Sequence, residues 1–216
     1  MVQTSVMRFS RSSPGEGDPR GGQPPGPMPA SPVPAVDDDQ ALVARFQAGD
    51  ASAFRPLYSR HAPAVYRLAL RMTASTAEAE DITQVVFERA WLALDRFRTG
   101  EAQVSTWLYR VAANACLDHL KSARRRHERG SGDELAWQAD PRLSPEAQVA
   151  GAQARGRVER ALQALPEKYR LVVVLRDIEE RPYEEIRTIL QLPITTLKMR
   201  AVRGREKLAA ALEQGT

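Results

Sequence analysis

The sequence predicts an all-α protein made of two small helical domains joined by a flexible linker. From residue 37 onward, apolar side chains recur at three- and four-residue steps, the spacing of amphipathic helices. A polar, turn-forming stretch at 130–144 interrupts this pattern. The chain then ends in two short helices, of which the second is basic. A chain of 216 residues is long enough for one large or two small domains.

Residues 1–36 form a segment in which no folded core is expected. Eight of the 15 prolines fall there and aliphatic residues are sparse, so burial cannot offset the entropy lost on ordering. We predict a disordered tail, with a recognition role as the alternative. The tail has no apolar stretch suited to a secretory signal, and the chain has no apolar run long enough to span a membrane. The single cysteine excludes a disulfide framework, and these features together predict a cytoplasmic protein.

Four helices are expected between residues 37 and 129. Gly49 ends the first, and Pro63 is expected to kink the second. Ser75 caps the third, with Glu78 at the capping-box position. The fourth helix runs into a basic cluster. The apolar positions expected on these helices include Leu42, Val43, Phe46, Ile82, Val85, Val86, Trp91, Leu92 and Leu94.

Residues 145–216 are expected to form the second domain. Trp137, in the linker before it, either packs against a neighbouring domain or docks on a partner. The apolar run LVVVL at 171–175 favours a strand by composition, but helical patterns flank it and no partner strand is present, so a buried helix is predicted. Two short helices follow, at about 182–190 and 195–212, and this pair has the helix-turn-helix pattern.

Two basic clusters each carry a local charge of +4, which equals the net charge of the whole chain. Residues 121–129 contain five cations and one acid, and residues 198–207 contain the same numbers. A clustered excess of cations is typical of proteins with an anionic partner such as nucleic acid. A solvated basic face is the alternative for each cluster taken alone.

The last helix combines residue types that read bases with types that bind phosphate. An arginine in the major groove can hold a guanine edge bidentately, and free amides at a helix start can bind phosphate. The sector expected to face bases holds Lys198, Met199, Val202 and Arg203. The residues expected at phosphates are Thr195 and Thr196, as candidate caps of the helix start, with Arg200, Arg205 and Lys207.

Aromatic residues precede the first basic cluster on the fourth helix. Trp107 either packs in the core or stacks on an unpaired base, and Tyr109 is expected on another, exposed side of the helix. The third helix is acidic, with Asp81, Gln84 and Glu88 on one face. That face is either solvated or a surface for docking a protein.

The signatures of an enzyme are missing from the sequence. It contains no GK[ST] phosphate loop, no HExxH and no GxSxG motif. Cys116 and His119 are three residues apart on one helix but have no further metal ligands nearby. We therefore expect no catalytic residue, no metal, no cofactor and no small-molecule substrate.

Two stretches resemble bacterial RNA polymerase sigma factors of the extracytoplasmic-function (ECF) type, within the sigma-70 family. The motif D-x-x-Q-x-x-F at 81–87, followed by WLYRVAANACLDH at 107–119, resembles the second region of that family. The stretch ALPEKYRLVVVLRDIEERPYEEIRTILQLPITTLKMRAVRGREKL at 164–208 resembles its fourth region. Both blocks stand in the order of the family, and the likeness covers about residues 39–212.

The resemblance implies a promoter-specificity subunit, with residues 37–129 as region 2 and residues 145–216 as region 4. The implied partners are core RNA polymerase, promoter DNA and, as is common in the family, an anti-sigma factor; no membrane insertion is implied. The implied core-polymerase face is Asp81, Gln84, Phe87 and Glu88. The implied −10 surface is Arg98, Thr99, Gly100, Trp107, Asn114, Lys121, Arg124, Arg125 and Arg126. The implied −35 surface is Thr195, Thr196, Lys198, Met199, Arg200, Val202 and Arg203.

Several positions depart from the family pattern. Thr195 replaces a usual glycine, and Arg181 and Pro182 lie where the family has other residues before its Tyr-Glu-Glu-Ile motif. Met199 offers an apolar contact in place of hydrogen bonds, which bears on the −35 sequence that is read. The residues alone leave two further functions open: a stand-alone helix-turn-helix regulator, and a helical adaptor whose basic faces are merely solvated.

Overall fold

The structure, a computed structural model, describes residues 38–98, 100, 103–128 and 156–214, and within these ranges all regular structure is helical. The first four helices are α1 (Asp39–Gln47), α2 (Phe54–Thr73), α3 (Thr76–Ala93) and α4 (Val104–Glu128). Helix α5 occupies residues 156–163, followed by α6 (Glu167–Val173), which continues into the π-helical turn Val174–Ile178, and by α7 (Tyr183–Leu190) and α8 (Ile194–Gln214). We call α1–α4 the N-terminal group and α5–α8 the C-terminal group. The all-α prediction is confirmed.

Side-chain caps fix several helix starts in the N-terminal group. The Asp38 carboxylate accepts the amide of Ala41 at 2.7 Å, and Ser75 Oγ accepts the amide of Glu78 at 3.3 Å, as the capping-box pattern predicts. The Glu78 carboxylate itself lies 3.0 Å from Nε2 of His119. Helix α2 runs through Pro63 as one element. The starts of α1 and α3 are therefore set by local hydrogen bonding, and α3 is tied to α4 by a side-chain contact.

The core of the N-terminal group follows the predicted helical stripes in most places. Leu42, Val43 and Phe46 of α1 are buried, as are Ile82 and Val86 of α3. The prediction was wrong for three positions of α3, whose side chains are exposed. These are Val85, Trp91 and Leu92, at 36%, 42% and 80% exposure. The reason is that α3 buries the sector of Ala79, Thr83, Phe87 and Ala90 together with the two predicted aliphatic positions.

Cys116 lies in the core of the N-terminal group, and burial raises the pKa of its thiol to about 12. Because the thiolate is the reactive form, Cys116 is expected to resist alkylation at pH 8 in the folded protein and to react once the chain is unfolded. Mass spectrometry after iodoacetamide treatment, with and without denaturant, checks this. Since the chain has one cysteine, every modified molecule reports on this position. Rapid labelling without denaturant would contradict the burial.

The C-terminal group is built around the run LVVVL, which is a buried helix as predicted. Residues 171–175 are all buried, and they continue α6 into its π-helical turn. Helices α7 and α8 form the helix-turn-helix, with Gln191 ending α7 at a left-handed φ of 52°. Helix α8 begins at Ile194, so Thr195 and Thr196 lie within its first turn, and the prediction that they cap it was wrong.

The N-terminal and C-terminal groups contact each other through α2 and α4 on one side and α6 and α7 on the other. Arg170 of α6 is buried, and its guanidinium donates to the carbonyl oxygen of Met72 in the last turn of α2. Gln163 of α5 donates to the carbonyl of Arg71 at 3.0 Å. The C-terminal group therefore satisfies carbonyls that end α2.

The predicted tail at 1–36, the linker at 130–144 and Trp137 lie outside the described residues. The domain boundaries drawn from the sequence remain predictions. Within the described ranges, no helix combines the length and apolar character needed to cross a lipid bilayer.

Candidate nucleic-acid interface

Helix α8 buries one side and presents a mixed basic and apolar face on the other. Leu197 and Ala201 are buried beneath it, whereas Lys198, Met199 and Val202 are exposed. Because the buried residues and the exposed ones alternate at helical spacing, the helix is held by its inner side, and its outer side is open to a partner. The structure therefore places three of the predicted −35 residues on one accessible surface.

Two arginines of α8 bind other side chains of the C-terminal group. Arg205 holds Asp177 bidentately, with N–O distances of 3.0 and 2.5 Å, so it anchors α8 to the π-helical turn. It is therefore a structural contact here, where the sequence suggested a phosphate contact. Arg203 is exposed, and its guanidinium beside the Tyr169 hydroxyl lowers the pKa of that hydroxyl.

The residues implied for the −10 strand form a stripe along α4. Trp107, Asn114 and Lys121 follow one another at seven-residue steps, which places them on one face, each about 10.5 Å further along the axis. Trp107 is half-buried, with its ring 5.2 Å from that of Phe97, whereas Asn114 is exposed. The stripe ends in the exposed residues Arg124, Arg125 and Arg126.

The loop before α4 is described in part. Gly100 adopts a φ of 107°, in the region that favours glycine. A Cβ placed on Gly100 would have no heavy atom of the described residues outside its chain neighbours within 4 Å. Arg98 is exposed. Thr99, which the resemblance implied for the same surface, lies outside the described residues.

Tyr109 of α4 is buried beneath the C-terminal group, and the prediction that it is exposed was wrong. The guanidinium of Arg181 lies 3.6 Å from the centre of its ring, and its hydroxyl donates to Glu179 at 3.0 Å. Burial raises the pKa of Tyr109. One turn earlier, Thr106 donates to Glu185 at 3.0 Å. This side of α4 is thus closed by a polar contact between the two groups, while the stripe from Trp107 to Lys121 is on another side.

Glu179 is the shared acceptor of that contact, because it also accepts a hydrogen bond from Arg71 of α2. Changing Glu179 to alanine leaves both donors without their acceptor, and we expect the contact to weaken by about 1–3 kcal/mol. Hydrogen exchange should therefore quicken in α7 and in the first turns of α4. Changing the exposed Glu184 to alanine is the charge-matched control. Equal exchange in the two variants would contradict the role of Glu179.

The acidic face of α3 is exposed, and it carries the residues implied for polymerase. Asp81, Gln84 and Glu88 lie at three- and four-residue steps, and Gln84 Nε2 donates to Glu88 at 2.8 Å. Phe87 is buried, with its ring 4.7 Å from that of Tyr58, so the structure places it beneath this face and not on it. Phe87 therefore supports the surface from below.

Sequence reasoning missed the apolar part of the same face. Val85 and Leu92 continue the line of Asp81 and Glu88, and both are exposed. Trp91 adds an exposed edge, while its ring packs against Phe46 with centroids 4.9 Å apart. Exposed apolar side chains grouped on one helix are typical of a docking surface. The spacing of these apolar residues from Asp81 and Glu88, at steps of three and four, was the available signal.

These features define a class: an all-α protein with a helix-turn-helix, a second helix carrying an aromatic and basic stripe, and an acidic helix face suited to another protein. Comparison with known families agrees with this class. The Sigma-70 region 2 family matches residues 57–126, and the Sigma-70, region 4 family matches residues 155–208.

Characterised relatives cover most of the chain. The RNA polymerase sigma-H factor of Pseudomonas aeruginosa is 34% identical over 82% of this chain and 95% of its own length. The ECF RNA polymerase sigma factor SigW of Bacillus subtilis is 32% identical over 79% of this chain and 94% of its own length. The ECF RNA polymerase sigma-E factor of Escherichia coli K12 is 34% identical over 79% and 92%. The chain therefore belongs to the ECF group of the sigma-70 family.

Two solved structures share the fold. The structure of CnrH in complex with the cytosolic domain of CnrY matches with a TM-score of 0.61 and 26% identity, covering 83% of this chain and all of that one. The sigma factor RpoE of Bartonella quintana, solved with the anti-sigma factor NepR, matches with a TM-score of 0.59 and 23% identity over 74% of this chain and 96% of that one. The second likeness shows the fold alone.

Proposed function

We propose that the protein directs promoter-specific transcription initiation as a subunit of RNA polymerase and catalyses no reaction itself. The observation that carries this proposal is α8, whose inner side is buried while Lys198 and Met199 are exposed at its outer side. Membership of the ECF group supports the same function. In this function α8 enters the major groove of the −35 element, as recognition helices do.

The stripe on α4 suits the opened −10 strand. Trp107 offers an aromatic surface, Asn114 offers hydrogen bonds to a base edge, and the exposed arginines at the end of α4 suit the backbone. Removing a base from the DNA stack costs a few kcal/mol, so a site that accepts only one base makes strand opening selective for the sequence. The position of Gly100 at the turn before α4 supports a close approach of the strand to the backbone.

The chain is expected to bind DNA weakly by itself, because each surface makes few contacts. Holding both surfaces on polymerase raises their effective concentration at a promoter. Since polymerase and its template are in the cytoplasm, we expect the chain to act there. We also propose an inhibitory protein partner, for which CnrH, 26% identical and solved with a domain of CnrY, gives support.

Run-off transcription tests the main proposal. The purified chain is added to the core polymerase of its own bacterium on a library of genomic fragments, and the transcripts are sequenced. We expect products that start downstream of a shared pair of motifs and that vanish when the chain is omitted. The absence of any promoter-dependent product would refute the proposal. Tight dimeric binding to duplex DNA without polymerase would instead indicate a stand-alone regulator.

Binding to polymerase is expected to depend on the acidic face of α3. Changing Asp81 and Gln84 together to alanine removes a charge and a hydrogen-bonding amide from an exposed surface, so the fold should persist. The affinity for core polymerase should fall at least about tenfold, which corresponds to the loss of contacts worth about 1.4 kcal/mol. Fluorescence anisotropy of a labelled chain measures it. Changing the exposed neighbour Glu80 to alanine removes the same charge and serves as the control. Undiminished binding of the double variant would show that this face is merely solvated.

A further inference from the structure

The side chain of Gln47, the last residue of α1, connects the end of α1 to the end of α3. Its Nε2 donates to the carbonyl oxygens of Leu94 at 3.0 Å, Asp95 at 3.4 Å and Phe97 at 2.7 Å. A glutamine amide has two N–H groups, so the two shorter bonds are the principal ones. They join Gln47 to both ends of the single 3-10 turn, Leu94–Arg96, that follows α3.

Gln47 projects from a backbone that is fixed by contacts of its own. Val43 and Phe46 of the same helix are buried. Beyond the helix, the amide of Asp50 donates to the carbonyl of Arg45 at 3.0 Å, and the Arg45 guanidinium holds the Asp50 carboxylate at 3.1 and 2.8 Å. Because the end of α1 is held in this way, the Gln47 amide sets the position of its acceptors and does not simply follow them.

The Phe97 carbonyl lies where the chain turns towards the residues implied for the −10 strand. It belongs to the planar peptide unit that joins Phe97 to Arg98, so a bond to it fixes the direction in which Arg98 leaves the turn. The Phe97 ring lies 5.2 Å from the ring of Trp107 on α4. One bond from Gln47 therefore bears on the positions of both Arg98 and Trp107.

The folded structure needs little from these bonds. The turn after α3 closes by itself, because the Phe97 amide donates to the Leu94 carbonyl at 3.1 Å and the Leu94 side chain is buried. Gln47 binds the Asp95 and Phe97 carbonyls at an exposed position, where water can replace the amide. We therefore expect Gln47 to contribute little to stability and to act by orienting the Phe97 peptide.

We propose that Gln47 is a positioning residue for recognition of the −10 strand. By holding the Phe97 carbonyl, it orients Arg98 and keeps the Phe97 ring against Trp107 before DNA binds. A surface that is already ordered loses less conformational entropy on binding, and a strand that fits its shape gains most from this order. The inference rests on the proposed function and deepens it, because it adds a residue of α1 to a surface formed by α4 and the turn before it.

Gln47→Met tests the inference, because methionine keeps the length of the side chain and removes both N–H donors. The variant is assembled with core polymerase, and its binding to two single-stranded oligonucleotides is measured. One carries the −10 strand of a promoter found by run-off transcription, and the other carries the base change in it that most weakens binding of the unaltered holoenzyme. The ratio of the two dissociation constants is independent of the fraction of folded protein. We expect this ratio to fall about fivefold, the effect of one lost hydrogen bond.

Two further variants assign the effect to the donors of Gln47. Gln40→Met makes the same change at an exposed position in the first turn of α1 and should keep the full ratio. Gln47→Lys keeps N–H donors on a side chain of sufficient length and should recover part of the discrimination. Thermal unfolding and affinity for core polymerase should be the same for Gln47→Met as for the unaltered chain. An unchanged ratio in Gln47→Met overturns the inference.

The outcomes separate this inference from the proposed function. A promoter-dependent product with full −10 discrimination in Gln47→Met leaves the proposed function standing and overturns the inference alone. The absence of any product from the unaltered chain refutes both. If Gln47→Met weakens binding to both oligonucleotides equally, or weakens binding to core polymerase, Gln47 does not position the −10 surface and the inference is overturned.

Discussion

Replacing Gly204 by alanine is expected to destabilise the C-terminal group, although alanine is the better helix former by about 1 kcal/mol. Gly204 is buried in α8, and a Cβ built there would stand 2.5 Å from Cγ2 of Val173. Val173 is itself buried and branched at Cβ, so it cannot rotate away. Overpacking of this kind costs about 1–3 kcal/mol, which exceeds the gain in helix propensity. The free energy of unfolding from urea titration, followed by circular dichroism, measures the net loss.

The double variant with Val173→Ala tests the cause. Val173→Ala alone is expected to destabilise by leaving a cavity. If the clash at Gly204 is real, alanine at both positions should be no less stable than Val173→Ala alone, because the new methyl group occupies the vacated space. Strict additivity of the two losses would show that Gly204 is needed for another reason.

The helices themselves were predictable because their signals are local. The cap at Ser75 and the burial of Leu42 and Val43 follow from residues within a few positions of one another, and all are found in the structure. The run at 171–175 was correctly predicted as a helix, because flanking helical patterns outweighed its strand-like composition. Local patterns of this kind fix element type well, but they do not fix which sector faces a partner.

The errors have a common physical cause, which is contact between residues distant in sequence. Two sectors of α3 carry apolar residues at helical spacing, so the spacing alone does not show which sector is buried. Packing against the other helices buries Phe87 and leaves Leu92 exposed. Tyr109 is covered by Arg181, a residue of the C-terminal group that is distant from it in the sequence. No spacing rule within one helix can indicate such a partner.

The exposure of the candidate DNA surface was likewise predicted correctly for some residues, whereas the contact of another residue was not. Lys198, Met199 and Val202 were placed correctly on an exposed face because helical spacing and charge both point there. Arg205 was assigned to phosphate by charge alone, yet it holds Asp177. A cation on a basic helix is thus ambiguous until its neighbours in the fold are known. The same holds for carboxylates. Glu179 and Glu185 accept hydrogen bonds from Tyr109 and Thr106 on one side of α4, and their positions in the sequence do not indicate these partners.

The most severe loss of stability is expected for Arg170→Met. Arg170 is 6% exposed, and its pKa is lowered by burial, so its charge is kept in the interior by hydrogen bonds. The guanidinium donates to the carbonyls of Gln163 and Leu165, at 2.8 and 3.1 Å, and to the carbonyl of Met72. The first two close the turn between α5 and α6. The third satisfies a carbonyl at the end of α2, where the helix dipole favours a cation.

Methionine keeps the apolar stem of Arg170 and removes every donor. Three carbonyls, two of them in buried hydrogen bonds, then lose a partner. We expect the free energy of unfolding to fall by about 3–5 kcal/mol, the cost of breaking a buried charged network. Arg170→Lys should restore part of this loss, because an ammonium keeps the charge but cannot span both helix ends. Arg187→Ala, which removes an exposed pair with Glu184, should change it by less than about 0.5 kcal/mol.

The position of Arg170 also predicts where the loss is felt. Because it joins α6 to α2, Arg170→Met should speed hydrogen exchange in the last turn of α2 as well as in α5 and α6. It should also make Cys116 alkylate at lower urea concentration, since the N-terminal group loses a cap on one of its helices. Effects confined to α5 and α6 would show that α2 ends stably without the C-terminal group. In that case the bond to Met72 contributes little, and the loss arises within the turn alone.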